Sequence, residues 1–351
     1  VEWCVMKKTL GTLCLALAVG MLAPPPSEAA SGSNERILFE RSFNSSGGYA
    51  PAIYLMNTDG SNMTVVKSDA IDPSWSKDGK RVVFTGLFSQ QIFTMKIDGS
   101  DLRQLTSTTG YNRWAQWSPD GSRIAFTSTR DGGDNEIYVM NADGSGQTRL
   151  TAIPGVDYFP TWSPDGAKIA FTSGRAGLTH IFVMNADGSA VTRLTTSGAG
   201  NIDPAYSPDG TKIAFASFRF GSTNAYELMV MNADGTNQVR LSTNPGNDDS
   251  PTWSPDGTRI LYSARRNPET VSNKTSLVVI NADGTNLTQL TSGSSDTSSS
   301  WATLPTCSDT GSSDNERGPV SSLVHDAEPL LPIVGPIVHE QNCDTLAPSG
   351  L

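Results

Sequence analysis

Apolar residues in this chain fall in short runs, and the runs recur in register. Arg81-Val-Val-Phe84, Arg123-Ile-Ala-Phe126, Lys168-Ile-Ala-Phe171, Lys212-Ile-Ala-Phe215 and Arg259-Ile-Leu-Tyr262 are too short for helices and suit strands covered on both faces. Ahead of most of them stands Ser-Pro-Asp-Gly, in which proline fixes φ and glycine tolerates positive φ, forcing a tight reversal. Upstream again, Pro-x-[Trp/Tyr]-Ser starts another short strand. A third strand of the Ile137-Tyr-Val-Met140 type ends in Asn-Ala-Asp-Gly at 141–144, 185–188, 232–235 and 281–284, with Asn57-Thr-Asp59-Gly60 and Lys96-Ile-Asp98-Gly99 as variants. Thr148-Arg-Leu150-Thr and its equivalents supply a fourth. Each unit therefore predicts four antiparallel strands, a to d.

The anchors of strand a are Trp75, Trp117, Trp162, Tyr206, Trp253 and Trp301, recurring every 42 to 48 residues. Self-similarity at that period, with about four short strands per unit, predicts an all-β, six-bladed β-propeller over residues 36–304. The phase of the repeat predicts how the ring closes. The first copy begins at strand b (Ile37-Leu-Phe39) and has no strand a, whereas Ser299-Ser-Trp301-Ala-Thr is a strand a with nothing after it. The last strand is therefore expected to complete the first blade, hiding edges that an open array would leave for aggregation.

Outside the ring, Met6-Lys-Lys8, the apolar stretch from Thr9 to Leu22 and Pro-Pro-Pro-Ser27-Glu-Ala29-Ala30 have the pattern of a secretory signal peptide over residues 1–30, with residues 1–5 as upstream translation. The run is too short for a membrane span. Cleavage near Ala29 or Ala30 leaves Cys307 and Cys343, an even count in an exported chain and so an expected disulfide within a Pro/Ser-rich tail, residues 305–351. The net charge of −10 argues against nucleic acid and anionic lipid as partners.

The strings Trp-Ser-Pro-Asp-Gly-x-[Arg/Lys]-Ile-Ala-Phe and Ile-Tyr-Val-Met-Asn-Ala-Asp-Gly resemble the WD40-like PD40 repeats of the TolB-type propellers. In that family TolB carries an α/β domain ahead of the propeller and works in the periplasm with a Pal-type outer-membrane lipoprotein. Here only Ser31 to Glu35 separate the signal from the first strand, so the resemblance implies a propeller without that domain and leaves a Pal-type partner unassigned. Similar propellers cap prolyl oligopeptidases, but no Gly-x-Ser-x-Gly elbow or hydrolase domain accompanies this one.

Catalytic chemistry is sparse. His180 sits in the blade 4 loop and reads as a surface residue, and His325 and His339 lie in the tail with no helix to align them on a metal. The Asn-x-Asp-Gly turns resemble fragments of calcium loops but lack the further acidic ligands and terminal Glu, so they read as hairpin turns and no cofactor is expected. Arg130, Arg175, Arg219 and Arg266 follow strand b, while Asp72, Asp157, Asp203, Asp248 and Asp249 precede strand a; repetition favours charge pairs running from blade to blade.

The b–c and d–a connections share one end of the ring and vary, whereas the opposite end carries uniform turns, so the variable end is the expected working face. It holds Tyr111, Arg113, Trp114, Tyr158, Phe159, His180, Phe218, Phe220 and Tyr226 as candidate ligand contacts, with Phe43, Tyr49 and Phe88 beside them. These features favour a monomeric, non-enzymatic, periplasmic or secreted scaffold binding a protein, lipoprotein or envelope glycan. The alternatives are a propeller lactonase, lyase or glycosidase using Asp72, Asp157 and Asp203, and a structural surface protein anchored by its tail.

Overall fold

The structure, a computed structural model, describes residues 34–45, 48–196, 200–219, 225–243, 246–265, 274–292 and 295–305, with backbone alone for 43–45 and 48–50. Every described strand belongs to one of six four-stranded antiparallel sheets, the blades. Blade 1 is ordered Ser295–Thr303, Glu35–Ser45, Gly48–Asn57, Thr64–Ser68 from its inner to its outer strand. The inner strands of blades 2 to 6 are Ala70–Trp75, Asn112–Trp117, Asp157–Trp162, Asn201–Tyr206 and Asp248–Trp253. The expected closure is present: Ile37 pairs with Trp301 and Glu35 with Thr303, so the C-terminal strand is the inner strand of the N-terminal blade.

No blade has a core of its own. Each apolar cluster joins two neighbouring blades, as where Ile37, Phe39, Met56 and Trp301 of blade 1 meet Leu261, Leu277 and Val279 of blade 6. The anchors wedge between the sheets. Trp162 and Trp253 donate Nε1–H to the carbonyls of Gln116 and Ala205 in the preceding blade, at 3.2 and 3.1 Å. Trp75, Trp162, Trp253 and Trp301 are buried, while Trp117 and Tyr206 are half-buried.

The two turn families play different parts. In the a–b turn of blade 3, Ser118 Oγ donates to Asp120 Oδ1 at 2.6 Å and Ser122 N to the same oxygen at 3.1 Å, holding the Asp120 pKa down at about 2. In the c–d turn Asp143 likewise accepts from Ser145 N and Oγ, so its carboxylate is used within the hairpin. Gly144 in that turn has φ 89°, and a Cβ there would stand 2.8 Å from the Leu105 carbonyl oxygen of blade 2. Gly60 makes the same approach to Leu290 of blade 6 across the seam. Glycine is required at these positions by backbone angle and by blade-to-blade contact together.

One boundary differs from the sequence reading. The inner strands do not start at Pro-x-[Trp/Tyr]-Ser but three residues earlier, and the proline lies mid-strand. Each inner strand carries a bulge at that point, two residues facing one on the neighbouring strand, as at Tyr158/Thr161. A bulge leaves a backbone position unpaired, and proline, which has no N–H, is tolerated there. The residue facing each bulge is Phe39, Phe84, Phe126, Phe171, Phe215 or Tyr262, among the described residues the six largest fully buried side chains. The signal segment, Cys307, Cys343, His325 and His339 lie outside the described residues. Among the described residues no helix is long and apolar enough to cross a membrane.

Closure by a single strand is testable. Trp301 is 7% exposed, so Trp301→Ala is expected to destabilise by roughly 3–5 kcal/mol. Ending the chain before Ser295 removes the whole inner strand of blade 1 and should lower the melting temperature far more than ending it after Pro305. Equal melting of the two truncations would refute the clasp.

Candidate functional site

The six bulges build one ring around the channel. The first bulge residue in each blade has positive φ: Ser298 (45°), Asp72 (53°), Trp114 (53°), Phe159 (55°), Asp203 (56°) and Ser250 (52°), from blade 1 to blade 6. Left-handed backbone at residues other than glycine costs roughly 1–3 kcal/mol each and persists only where the surroundings impose it. Here the ladders on either side impose it six times. The side chains line a chamber of about 420 Å³ together with the anchors, and the chamber extends from this belt towards the a–b turns. Blade order sets Trp114 and Phe159 across the channel from Ser250 and Ser298, with Asp72 and Asp203 between the two halves.

The aromatic half is packed. Trp114 and Phe159 meet edge-on at 4.4 Å between centroids, Tyr158 lies 4.7 Å from Phe159 and 5.9 Å from Trp114, and the Arg113 guanidinium stands 4.7 Å over the Trp114 ring. Trp114 also lines a second depression on the loop side, with Leu87, Phe88, Gln90, Tyr111, Arg113, Thr127 and Asn135. Phe88 and Tyr111 are 83% and 60% exposed at its rim. Thus Trp114 separates a loop-side depression from the channel chamber.

The carboxylates do not pair blade to blade as the repeat suggested. Arg175 bonds Asp157 at 2.6 Å and Arg41 bonds Asp296 at 2.7 Å, each within one blade. Arg130 and Arg219 reach Asn112 and Asn201 at that same strand position, and each of these arginines lies over a bulge-facing ring such as Phe171. In-blade pairing follows because the end of strand b and the start of strand a are hydrogen-bonded neighbours. Asp72 is the exception: Arg113 of the next blade donates to it through Nε at 3.0 Å. Burial pushes the Asp72 pKa up and Arg113 opposes the shift.

Among the described residues neither Asp203 nor Asp249 meets such a cation. Ser250 N donates to Asp203 Oδ2 at 3.1 Å and its hydroxyl at 3.4 Å, while Oδ1 is buried with no hydrogen-bond partner. Burial, with the charge of Asp249 added, pushes Asp203 up to about 8; burial pushes Asp249 up to about 6. The nearby Tyr158 phenol is raised to about 12 by burial, with Asp203 contributing.

Other candidates separate. His180 is in a strand (Leu178–Asn185), not a loop, and is 3% exposed. It takes the place that Glu136 and Glu227 hold in blades 3 and 5, against Arg193 at 2.6 Å, and burial and that arginine push its pKa down. Phe218 and Tyr226 pack edge-on at 5.4 Å beyond blade 5. Phe220 and Arg266 lie outside the described residues, as do the side chains of Phe43 and Tyr49. Sequence reasoning missed Ser250 and Ser298 and the belt itself. The available signal was the position three residues before each anchor, where the repeat stops repeating.

Residues 33–305 match the PD40 family, the TolB beta propeller domain. The chain belongs to this family. Within the TolB propellers, a TolB homolog of Chlorobium luteolum is 38% identical over 86 residues, 23% of this chain and 20% of that protein. The Tol-Pal system protein TolB of Alcanivorax borkumensis is 29% identical over 82 residues, 22% of this chain and 19% of that one. The aligned regions span about a fifth of these curated relatives. The crystal structure of TolB from Acinetobacter baumannii is 25% identical with a TM-score of 0.67, covering 76% of this chain and 66% of that one.

The belt carboxyls predict a pH signature. A carboxyl whose folded pKa exceeds its unfolded value contributes stability that is full below the unfolded pKa and is lost as pH rises through the folded one. For Asp203 that window runs from 3.8 to about 8. Urea midpoints should therefore fall more steeply from about pH 5 to about pH 9 in the native protein than in Asp203→Asn. Parallel profiles would show that the pair does not titrate in this way.

Proposed function

We propose that this TolB-type propeller is a non-enzymatic, exported scaffold of the cell envelope that holds a protein partner at the loop-side mouth of its channel. The observation that carries the reading is the packed Trp114–Tyr158–Phe159 cluster, set on backbone that the fold holds under strain and continuous with exposed Phe88 and Tyr111. Rigid aromatics beside an arginine, partly buried and opening to solvent, are what partner anchors are made of. The family supports a protein as the ligand, and the Tol-Pal system named for the Alcanivorax borkumensis relative supports the envelope as the place. The signal-like start supports export.

A second reading, a hydrolase or lyase, rests on the uncompensated Asp203 and Asp249 alone. Asp72 and Asp157, its other acids, are already engaged by Arg113 and Arg175.

The test leaves Arg113 in place, because removing it strands a buried Asp72. Phe88→Ser with Tyr111→Ser should change the melting temperature by no more than about 2 °C, since surface substitutions cost little. The same double variant should lose partner capture from the envelope fraction by at least about tenfold. Trp114→Ala should lose capture and some stability together. Normal capture by both variants would overturn the assignment, and a turnover abolished by Asp203→Asn at full stability would install the enzyme reading instead.

A further inference from the structure

The ring makes one comparison within itself. At three places around the belt the first bulge residue stands beside the residue that precedes the bulge in the next blade. The pairs are Asp72 with Arg113, Trp114 with Tyr158, and Asp203 with Asp249. At Asp72 the neighbouring position supplies a guanidinium, which binds the carboxylate through Nε and Nη2 at 3.0 and 3.4 Å. At Asp203 the same position supplies a second carboxyl. Among the described residues neither Asp203 nor Asp249 has a salt bridge. Asp203 keeps Oδ2 on Ser250 and leaves Oδ1 buried and unpartnered, and it lines the 420 Å³ chamber. Two half-buried carboxyls set together without a countercharge are unfavourable unless they hold a proton or a cation.

We propose that Asp203 and Asp249 form a receptor for one cationic side chain, an arginine or lysine carried by the bound partner, entering where Arg113 stands in the pair across the ring. The proposal rests on the reading of the channel mouth as the partner's site and names the chemistry recognised there. Phe159 adjoins Asp203 around the belt, so an apolar neighbour of that cation would meet the aromatic half. The ionisable groups around the pair are the Tyr158 and Tyr226 phenols, both pushed up by burial first and by Asp203 next. Ser250 and Thr172 complete the surroundings, with Thr172 Oγ1 accepting from Asp203 N. Without ligand, burial and the charge of Asp249 push the Asp203 pKa up to about 8, which favours its protonated form near neutral pH. Binding then replaces the carboxyl proton by the ligand cation, and that proton passes to buffer.

Three measurements on the full chain decide it. Calorimetry with N-acetyl-arginine methylamide and with its neutral citrulline isostere should show binding of the arginine compound, weakened by about 30-fold or more in the citrulline one. Repeating the titration in buffers of different ionisation enthalpy at pH 7 should show release of about one proton per ligand, absent in Asp203→Asn. Asp249→Arg should supply the cation from within: its melting temperature should rise and the arginine compound should no longer bind. Equal binding of both compounds, or of neither, overturns the proposal, as does an Asp249→Arg variant less stable than the native protein. A melting temperature raised by calcium chloride but unmoved by the arginine compound assigns the pair to a metal cation and overturns it too. Asp203→Asn should also capture the partner at least about tenfold more weakly. Partner capture undiminished in Asp203→Asn, with capture still lost in the Phe88/Tyr111 variant, removes the cation site while leaving the docking face standing.

Discussion

Burial between blades is the constraint on which everything else here depends. A four-stranded blade is two-sided, and each apolar cluster of this protein is completed only by residues of the next sheet, so no blade can be stable by itself. Six interfaces exist only if the sixth blade meets the first. The pairing of Glu35–Ser45 with Ser295–Thr303 supplies that meeting, and in four of the c–d turns Gly60, Gly144, Gly188 and Gly235 bring backbone against the backbone of a neighbouring blade, where a side chain would crowd it. The seam contact of Gly60 with Leu290 repeats the contacts of Gly144, Gly188 and Gly235 with Leu105, Leu150 and Leu194, so closure uses the same chemistry as these interfaces inside the ring.

Closure also generates the site. Inner strands converge on the axis and must turn their ladders to do so, and a bulge in each strand provides the bend. One residue per blade is thereby forced to positive φ and displayed in the channel, with a buried aromatic facing it from strand b. Because the ladder and that aromatic hold the backbone, the residue at the bulge is free to be serine, aspartate, phenylalanine or tryptophan. The fold thus separates a position that fixes geometry from one that can carry specificity.

The arrangement of charge follows the same division. Asp157 and Asp296, at the start of their inner strands, sit beside the end of strand b, where Arg175 and Arg41 meet them, and these ion pairs are part of the scaffold. Acids two residues later, Asp72 and Asp203, stand on the bulge, where among the described residues no in-blade arginine reaches. Asp72 finds Arg113 and Asp203 finds Asp249, and this one difference makes one side of the channel electrostatically complete and the other open to a cation.

By itself the sequence determined the repeat, the strand count, the b-strand cores, the turn chemistry and the clasp at Trp301, because each depends on neighbours close in the chain or on a period that local residues display. It also marked Trp114, Tyr158 and Phe159 as worth attention. Their place was misread as loop, since Pro160 and its equivalents look like strand starts until the bulge is seen, and His180 was misread as surface for want of its partner Arg193. Which acids are neutralised within a blade and which face one another across two could be decided only by tertiary structure. Asp157 and Asp203 are both acids near the anchor of their repeat. Two residues of register on a bulged strand separate a salt bridge from an open carboxyl pair, and that register is set by the closed ring rather than by any local signal.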